Sequence, residues 1–185
     1  TFLHADGGEH VVDEDWPLDP GPHLASAAAA EAHVRAFDGE GVVLRLALLY
    51  GPGSAQTRDT ARLARLGVVP LLGPPQAWTA SLHTDDAASA VAAALTAPPG
   101  TYDVADGTPL RRAEAVQAVA DALGRRRLRQ PPGALARGSA AATQTRSHRL
   151  SPARFRAATG WEPRWPSLRE GWAGVVEAWA RAGAA

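Results

Sequence analysis

Residues 42–53 read Val-Val-Leu-Arg-Leu-Ala-Leu-Leu-Tyr-Gly-Pro-Gly, and this stretch decides the fold class. Its first eight residues are apolar except for Arg45, which is typical of a strand covered on both faces in a parallel sheet. Gly51 and Pro52 then end the strand in a turn. A buried parallel strand needs helices on both faces of its sheet, so the stretch predicts an α/β protein.

Helical patterns flank this strand on both sides. An Ala-rich segment opens with Pro22, and Thr84 precedes two carboxylates as the expected N-cap of another helix. Short apolar runs between the helices indicate further strands. The predicted helices are 22–37, 57–66, 87–96, 110–123, 153–159 and 167–181, and the predicted strands are 1–4, 42–49, 68–72 and 101–104. The alternation predicts a single α/β unit over 1–185.

The composition is that of a folded chain. Its 185 residues are 45% hydrophobic and 21% charged, which is enough apolar material for one sizeable core. The sequence contains neither Lys nor Cys, which excludes Schiff-base lysines, thiolate nucleophiles and Cys-ligated zinc. Because the sequence does not begin with Met, we expect further residues before Thr1. It has no apolar run of ~20 residues and no signal peptide, so we expect a cytoplasmic protein without a membrane partner.

Charge is distributed unevenly, although the formal net charge is zero. Residues 1–31 contain carboxylates and no Arg, whereas residues 122–161 contain Arg and no carboxylate. A basic stretch around Arg125–Arg129 invites a nucleic-acid interpretation. The neutral total and the lack of interleaved aromatic residues argue against it, so we predict no nucleic-acid partner.

Four motifs occur in order along the chain. They are Leu44-Arg45 leading to Tyr50-Gly51-Pro52-Gly53, then Ser81-Leu82-His83-Thr84-Asp85-Asp86, then Tyr102-Asp103-Val104-Ala105-Asp106-Gly107, and finally Thr159-Gly160-Trp161-Glu162-Pro163. Together they resemble the extended short-chain dehydrogenases/reductases, the NAD-dependent epimerase/dehydratase superfamily, over about residues 1–172. The resemblance implies the C-terminal part of a Rossmann-like, doubly wound parallel sheet. It also implies a small α/β substrate-binding lobe formed by about 52–80 and 106–170.

The same resemblance shows which parts of the family pattern are missing. These enzymes bind NAD or NADP through a Gly-x-x-Gly-x-x-Gly turn after their first strand, and no such turn follows a strand in this sequence. A parallel sheet cut at this point exposes a strand edge. We therefore expect the missing Rossmann half on the same chain, on a partner chain or on an exchanged protomer. Helices 22–37 and 57–66 are the segments through which a homodimer would form.

The catalytic positions of the family are also altered. Family members use a Tyr-x-x-x-Lys pair for proton transfer, and aligning Glu31 with the family's Glu places His23 and Ala27 at those two positions. The strand-end Ser of the family falls near Ala5 or Asp6. His23 is a candidate acid/base because imidazole titrates near neutral pH, and His4 with Asp6 forms a second candidate couple. Each has a structural alternative, since His23 suits an exposed helix start and Asp6 suits a turn.

The remaining candidate residues follow from the family's cleft. Leu48, Leu49 and Tyr50 end the central strand, where open α/β sheets bind ligands, and the resemblance places them beside the nicotinamide. The predicted substrate-binding residues are Arg58, Trp78, His83, Arg146 and Arg149. The two last residues follow a predicted mobile loop over 130–144. We predict no metal, because an N-cap accounts for the carboxylates after His83.

Two functions remain open from the sequence. The first is an NAD(P)-dependent, epimerase/dehydratase-like oxidoreductase that binds a small or nucleotide-linked substrate. The second is a non-catalytic Rossmann-like protein that binds a metabolite or a partner, which the altered Tyr and Lys positions favour.

Overall fold

The computed structural model describes residues 2–183, so the predicted strand residue Thr1 lies outside the described residues. The α-helices are Ala25–Ala36 (α1), Ala55–Arg65 (α2), Thr84–Ala94 (α3), Arg112–Ala122 (α4), Ala153–Thr159 (α5) and Leu168–Arg181 (α6). The strands are Val11–Val12 (β1), Val42–Leu46 (β2), Leu48–Tyr50 (β3), Trp78–Thr79 (β4), Ser81–His83 (β5), Gly100–Val104 (β6), Leu110–Arg111 (β7) and Arg149–Leu150 (β8). The predicted α/β class is confirmed.

The apolar stretch that decides the fold forms two strands instead of the predicted one. β2 pairs in parallel with β6 over five residue pairs, and β3 pairs in parallel with β5 over three. The change of partner occurs at Ala47, whose amide binds the Val104 carbonyl at 2.9 Å, while the next amide, of Leu48, binds the Ala80 carbonyl at 3.3 Å. The strand therefore crosses from one neighbour to another, which hydrophobic periodicity cannot indicate.

Several short elements differ from the predictions. β1 pairs in parallel with β8, and β4 pairs antiparallel with β7, none of which the sequence patterns indicated. The predicted strands 1–4 and 68–72 are wrong, because only isolated bridges from His4 and Val68 form there. Pro70 provides the reason for the second, since proline cannot donate a hydrogen bond to a sheet ladder. Two 3-10 turns interrupt the predicted loop 130–144: Gly133–Ala136 lies within it, and Ala140–Thr145 extends one residue beyond it.

Two apolar clusters fill the interior. The first joins the β2–β6 and β3–β5 pairs to α3 and α5, with Leu82, Val104 and Phe155 fully buried. Burial of a side chain such as Phe155 stabilises the fold by about 2–3 kcal/mol. The second cluster packs α4 against α6 around Val119 and Trp172, and it extends to Tyr50 at the end of β3. The carboxyl end of β3 is thus the point where the sheet meets the helical layer.

The opposite charges of the two chain segments meet across the fold. Asp19 pairs with Arg146 at 2.5 Å, and both Glu14 and Asp15 pair with Arg154. These contacts fasten the acidic N-terminal loop to the basic segment around β8. The uneven charge distribution therefore has an internal structural role.

The other edge of β2 is open. Within residues 2–183 no strand pairs with that edge, and Glu31 is the one buried residue among the twelve of α1. An open edge and an uncovered helix fit the prediction that a further Rossmann half packs here, and this stays a prediction, as does the lobe division at 52–80 and 106–170. No helix within the described range is both long and apolar enough to cross a membrane.

Candidate active site

A pocket, called the cavity below, opens to solvent where β3 ends. Its walls are mostly apolar, and they include Phe2, Leu48, Leu49, Leu71, Leu72 and Trp172. Its polar lining consists of Gln56, Thr57, Thr60, Thr79, Arg112 and Gln144. Apolar walls with a few polar groups are typical of a site for a small organic ligand. Arg112 is the one charged residue that lines the cavity in the described part of the chain.

Helix α2 supplies one polar wall. Ser54 caps the helix by accepting a hydrogen bond from the Thr57 amide at 3.4 Å, and the Thr57 hydroxyl accepts from the Gly51 amide at 3.0 Å. These two bonds fix the turn after β3 against the start of the helix. Gln56 and Thr60 then lie on the same side as Thr57, facing the cavity, since residues three and four apart share a helix face.

Arg112 forms another wall from the start of α4. Its guanidinium is 2% exposed and donates to four backbone carbonyls, those of Pro74, Gln144, Thr145 and Arg146, at 2.8–3.4 Å. No carboxylate pairs with it among residues 2–183. Burial lowers the pKa of the guanidinium from its usual value, yet an arginine stays charged in proteins. The cavity wall thus carries one buried, unpaired positive charge.

Tyr50 forms the inner wall where the sheet meets α6. Its ring stacks on Trp172 at a centroid distance of 6.5 Å and meets the edge of His83 at 5.4 Å. The hydroxyl is buried against Gly171, where any side chain would collide with it, and it has no hydrogen-bond partner in the described structure. Burial raises the pKa of this phenol strongly, so it stays protonated.

Comparison with known proteins identifies the architecture. No protein-family model matches the sequence. A Streptomyces protein named 3-diazoavenalumate denitrifying reductase is 38% identical over 187 residues, which cover 92% of this chain and 61% of the relative. The chain thus spans about three fifths of that relative's length.

Solved structures agree closely in shape. The human epimerase family protein SDR39U1 with NADPH superimposes with a TM-score of 0.81 at 22% identity, over 95% of this chain and 62% of that one. The chain has the epimerase/dehydratase fold. UDP-glucose 4-epimerase from Thermus thermophilus with NAD gives 0.77 at 25% identity, over 98% of this chain and 62% of that one. MoeE5 in complex with UDP-glucose and NAD gives 0.75 at 24% identity, over 100% and 64%. The predicted resemblance is confirmed.

Within the epimerase/dehydratase fold, the predicted cofactor residues lie at the cavity. Leu48, Leu49 and Tyr50 all line it, although the structure does not test their contact with a nicotinamide. Of the predicted substrate residues, His83 lies behind Tyr50 and does not line the cavity. Its Nδ1 accepts a hydrogen bond from the Asp85 amide at 3.2 Å, so His83 is the N-cap of α3 in place of Thr84. Burial lowers the pKa of His83, which favours the neutral acceptor form.

The other predicted substrate residues lie elsewhere. Arg58 is on the far face of α2, where it donates to the Gly53 carbonyl at 3.0 Å. Arg149 and Arg111 stack on the Trp78 ring at 4.9 and 4.4 Å. Arg146 binds the His4 carbonyl at 2.9 Å in addition to Asp19. None of the four predicted residues lines the cavity in the described structure, and their substrate roles stay predictions.

The predicted acid/base residues lie away from the cavity, and two of them have other partners. His4 is fully buried, and its Nε2 lies 2.8 Å from the Asp103 carboxylate. Asp6 accepts from the Gly8 amide at 2.8 Å and the Ser147 amide at 3.3 Å, so it organises the turn. His23 is exposed in a 3-10 turn, Pro22–Leu24, before α1. Their catalytic roles stay predictions.

Sequence reasoning missed Arg112, although one signal pointed to it. Arg111 and Arg112 occupy the start of α4, where the positive end of the helix dipole disfavours cations. Two arginines at that position therefore indicate other interactions that compensate for the unfavourable helix dipole. Glu9 provides it for Arg111 through a 2.8 Å ion pair, and the carbonyls at the cavity wall provide it for Arg112.

Proposed function

We propose that the chain is the substrate-side portion of an NAD(P)-dependent oxidoreductase that reduces a small, mostly apolar molecule. The observation that carries the proposal is the cavity at the carboxyl end of β3, where open α/β sheets bind their ligands. The NAD(P)-bound structures of the same fold support a nicotinamide cofactor. The reductase of 38% identity supports reduction as the direction.

The residues present fit one end of that cofactor. Leu48, Leu49 and Tyr50 form a mostly apolar wall that suits a nicotinamide ring. When bound, the cofactor supplies a hydride, and the protein positions the acceptor. The Gly-rich turn that would hold the pyrophosphate is not within this sequence, so those contacts would come from the predicted further Rossmann half.

No Asp, Glu, His or Cys lines the cavity within residues 2–183, and this narrows the class of reaction that the site can catalyse. Reduction of a carbonyl creates an oxyanion that needs a proton, and the family supplies it from a Tyr tuned by a Lys. This chain has no Lys, and the hydroxyl of Tyr50 is buried against α6 instead of the cavity. A substrate that accepts hydride without forming an oxyanion suits this site better.

A diazo compound meets that condition. The name of the 38% identical relative contains a diazo substrate and a denitrifying reduction. When a hydride replaces the diazonium group on an aromatic carbon, the carbon–nitrogen bond breaks and its electron pair leaves with nitrogen. The products are the arene and neutral dinitrogen, so charge and atoms balance without an added proton. We propose this reaction class for the protein that contains this chain.

Full-length protein tests the proposal with matched substrates. An aryldiazonium carboxylate should be consumed together with one equivalent of NADPH or NADH and release dinitrogen, whereas the corresponding aromatic aldehyde should not react. A reaction without protein measures the uncatalysed rate. Reduction of the aldehyde instead, lost in His23→Ala or Asp6→Ala, would establish the predicted acid/base residues and contradict the diazo reaction.

A nucleotide-linked substrate is the second candidate, because MoeE5 shares the fold and is solved with UDP-glucose. Conversion of UDP-glucose by the same preparation would support it. If the full-length protein binds neither NADPH nor NADH, the non-catalytic function is correct. Gel filtration with cross-linking tests the predicted homodimer through α1 and α2.

A further inference from the structure

The fold indicates where a ligand binds, and the charges that line the cavity indicate which ligand charge it prefers. Arg112 lines the wall as a buried cation, and no aspartate or glutamate lines the cavity within residues 2–183. A buried charge is costly unless something of opposite charge compensates for it. The four carbonyls around the guanidinium are dipoles and leave its net charge in place.

The other buried arginine in residues 2–183 is paired. Arg45 forms a two-bond ion pair with Glu31 at 2.8 and 2.9 Å, and His4 lies on Asp103. Asp6 contributes to the electrostatic environment of Arg112, but its carboxylate is engaged by the amides of Gly8 and Ser147. Arg112 thus differs from Arg45 in being at a cavity and in lacking a bound anion.

We infer that the cavity selects a flat, apolar ligand with a single negative charge, a monocarboxylate, and that Arg112 supplies the compensating positive charge. This inference rests on the proposed function and names its substrate class. The apolar walls hold the body of the ligand, and Trp172 and Tyr50 offer aromatic surface. The charge of a buried guanidinium acts over several ångströms, so no displacement of the carbonyls is needed.

Two amides at the cavity support the orientation of the carboxylate. Gln56 and Gln144 line it, and no hydrogen bond to either side-chain amide forms in the described structure. Their NH₂ groups are free to donate to an anion. A nucleotide diphosphate would bring at least two negative charges to one cation, which leaves this cavity unbalanced.

Calorimetric titration of the full-length protein with saturating oxidised cofactor tests this inference. The probes are cinnamate, the isosteric cinnamamide and UDP-glucose. We expect cinnamate to bind at least about tenfold more tightly than cinnamamide, which corresponds to about 1.4 kcal/mol, and UDP-glucose to bind more weakly than cinnamate. Equal affinities for the acid and the amide, or preferred binding of UDP-glucose, would overturn the inference.

Matched variants assign the selectivity to one residue. Arg112→Gln should remove the preference for the acid, whereas Arg111→Gln changes the neighbouring arginine, which pairs with Glu9 outside the cavity, and should keep it. If Arg112→Gln does not fold, the Arg112 Nε–H resonance of the unaltered protein decides. It should shift with cinnamate and not with cinnamamide, and an unmoved resonance would refute the assignment.

The outcome separates this inference from the proposed function. Cofactor binding and diazo reduction without acid selectivity would leave the reductase standing and refute the role of Arg112. Acid selectivity without any cofactor binding would support the role of Arg112 and refute the proposed reductase.

Discussion

Two buried arginines of this chain differ in their hydrogen-bond partners: Arg45 pairs with a carboxylate, and Arg112 binds backbone carbonyls. Arg45 lies in β2 at 6% exposure and forms a two-bond ion pair with Glu31 of α1. Arg112 starts α4 at 2% exposure, and its hydrogen bonds within the described range all go to backbone carbonyls. The first arginine fastens a helix to the sheet. The second holds the turn at Pro74 and the segment 144–146 around a cavity and keeps its charge uncompensated.

Besides ion pairing and binding to backbone carbonyls, a third arrangement occurs in the interior, in which a buried titratable group becomes neutral. Burial raises the pKa of Asp106 to about 7 and lowers that of His148 to about 4, so both tend toward their uncharged forms. Arginine cannot take this route, because it does not lose its proton in proteins. An arginine in the interior must be paired with an anion or be available to one, and Arg112 is in the second situation.

Removing the partner of Arg45 should have the largest effect. Glu31→Gln leaves the buried guanidinium without its anion, and we expect a loss of about 3 kcal/mol in the free energy of unfolding, measured by urea denaturation. Arg45 holds the pKa of Glu31 below its usual value. The contribution of the pair is therefore present above the unfolded-state pKa and lost as pH falls through the lower, folded value.

Arg35→Gln is the control, since Arg35 binds the same carboxylate from a 51% exposed position. We expect a cost below about 0.5 kcal/mol for that exposed pair. Equal costs for the two variants would mean that Arg45 and Arg35 contribute alike, and the contrast with Arg112 would fail.

Disturbing the carbonyls around Arg112 should have the next largest effect. Gly73 has φ +114°, and an added Cβ would lie 2.7 Å from Arg112 Nη1 and 2.8 Å from the Thr145 carbonyl. Gly73→Ala should cost about 3 kcal/mol, from backbone strain and from this collision. Gly67→Ala shares the positive φ but meets nothing within 4 Å, so thermal denaturation should show a loss of about 1 kcal/mol. Similar losses of stability in the two variants would mean that the carbonyls around Arg112 shift at little energetic cost.

The titration of Asp106 and of His148, two separate buried groups, should have a smaller effect on the free energy of unfolding. The folded state holds the Asp106 proton up to about pH 7, and the unfolded chain releases it near pH 4, so this group makes stability fall as pH rises. His148 is neutral in the folded state down to about pH 4 and protonated below about 6.5 when unfolded, so it makes stability rise. The two slopes oppose each other over about pH 4–6.5.

Single variants should reveal each slope. Asp106→Asn should gain about 2 kcal/mol of stability between pH 4 and 6.5 relative to the parent profile, and His148→Gln should lose a similar amount over that range. Chemical denaturation at a series of pH values measures both. Parallel profiles for the parent and both variants would show that neither group is neutralised by burial.

An exposed ion pair should show the smallest effect. Arg62 and Asp59 on α2 are 72% and 62% exposed at 2.7 Å. Asp59→Asn should change stability by less than about 0.5 kcal/mol, since solvent and salt screen such a pair. A cost similar to that of Glu31→Gln would show that burial is not what distinguishes the pair at Arg45.

Much of the fold could be predicted from local patterns. Helix α5 has the predicted bounds, and α6 differs by one residue, because Ser167 and Gly160 are strong helix-boundary signals. The strand pairs of two residues, β1–β8 and β4–β7, could not be predicted, since so short a segment has no periodicity and its pairing joins residues far apart in sequence.

The site was predictable only in part. Leu48, Leu49 and Tyr50 follow from the end of an apolar strand, and all three line the cavity. Arg58 and Gln56 are two residues apart on the same helix, and only Gln56 faces the cavity. Which side of a helix faces a ligand depends on what packs behind it, and α2 has cationic residues on one side and polar residues on the other.

The sequence by itself determined that this chain is α/β and that it resembles one Rossmann superfamily, and it predicts that His23 and Ala27 replace the Tyr and Lys of that superfamily. Those features are local, since they depend on residue type, order and spacing. Tertiary structure alone decided that Glu31 pairs with Arg45 and that Arg112 has no carboxylate partner among residues 2–183. Charges compensate one another through space over a few ångströms, and only the folded chain fixes which of them come that close.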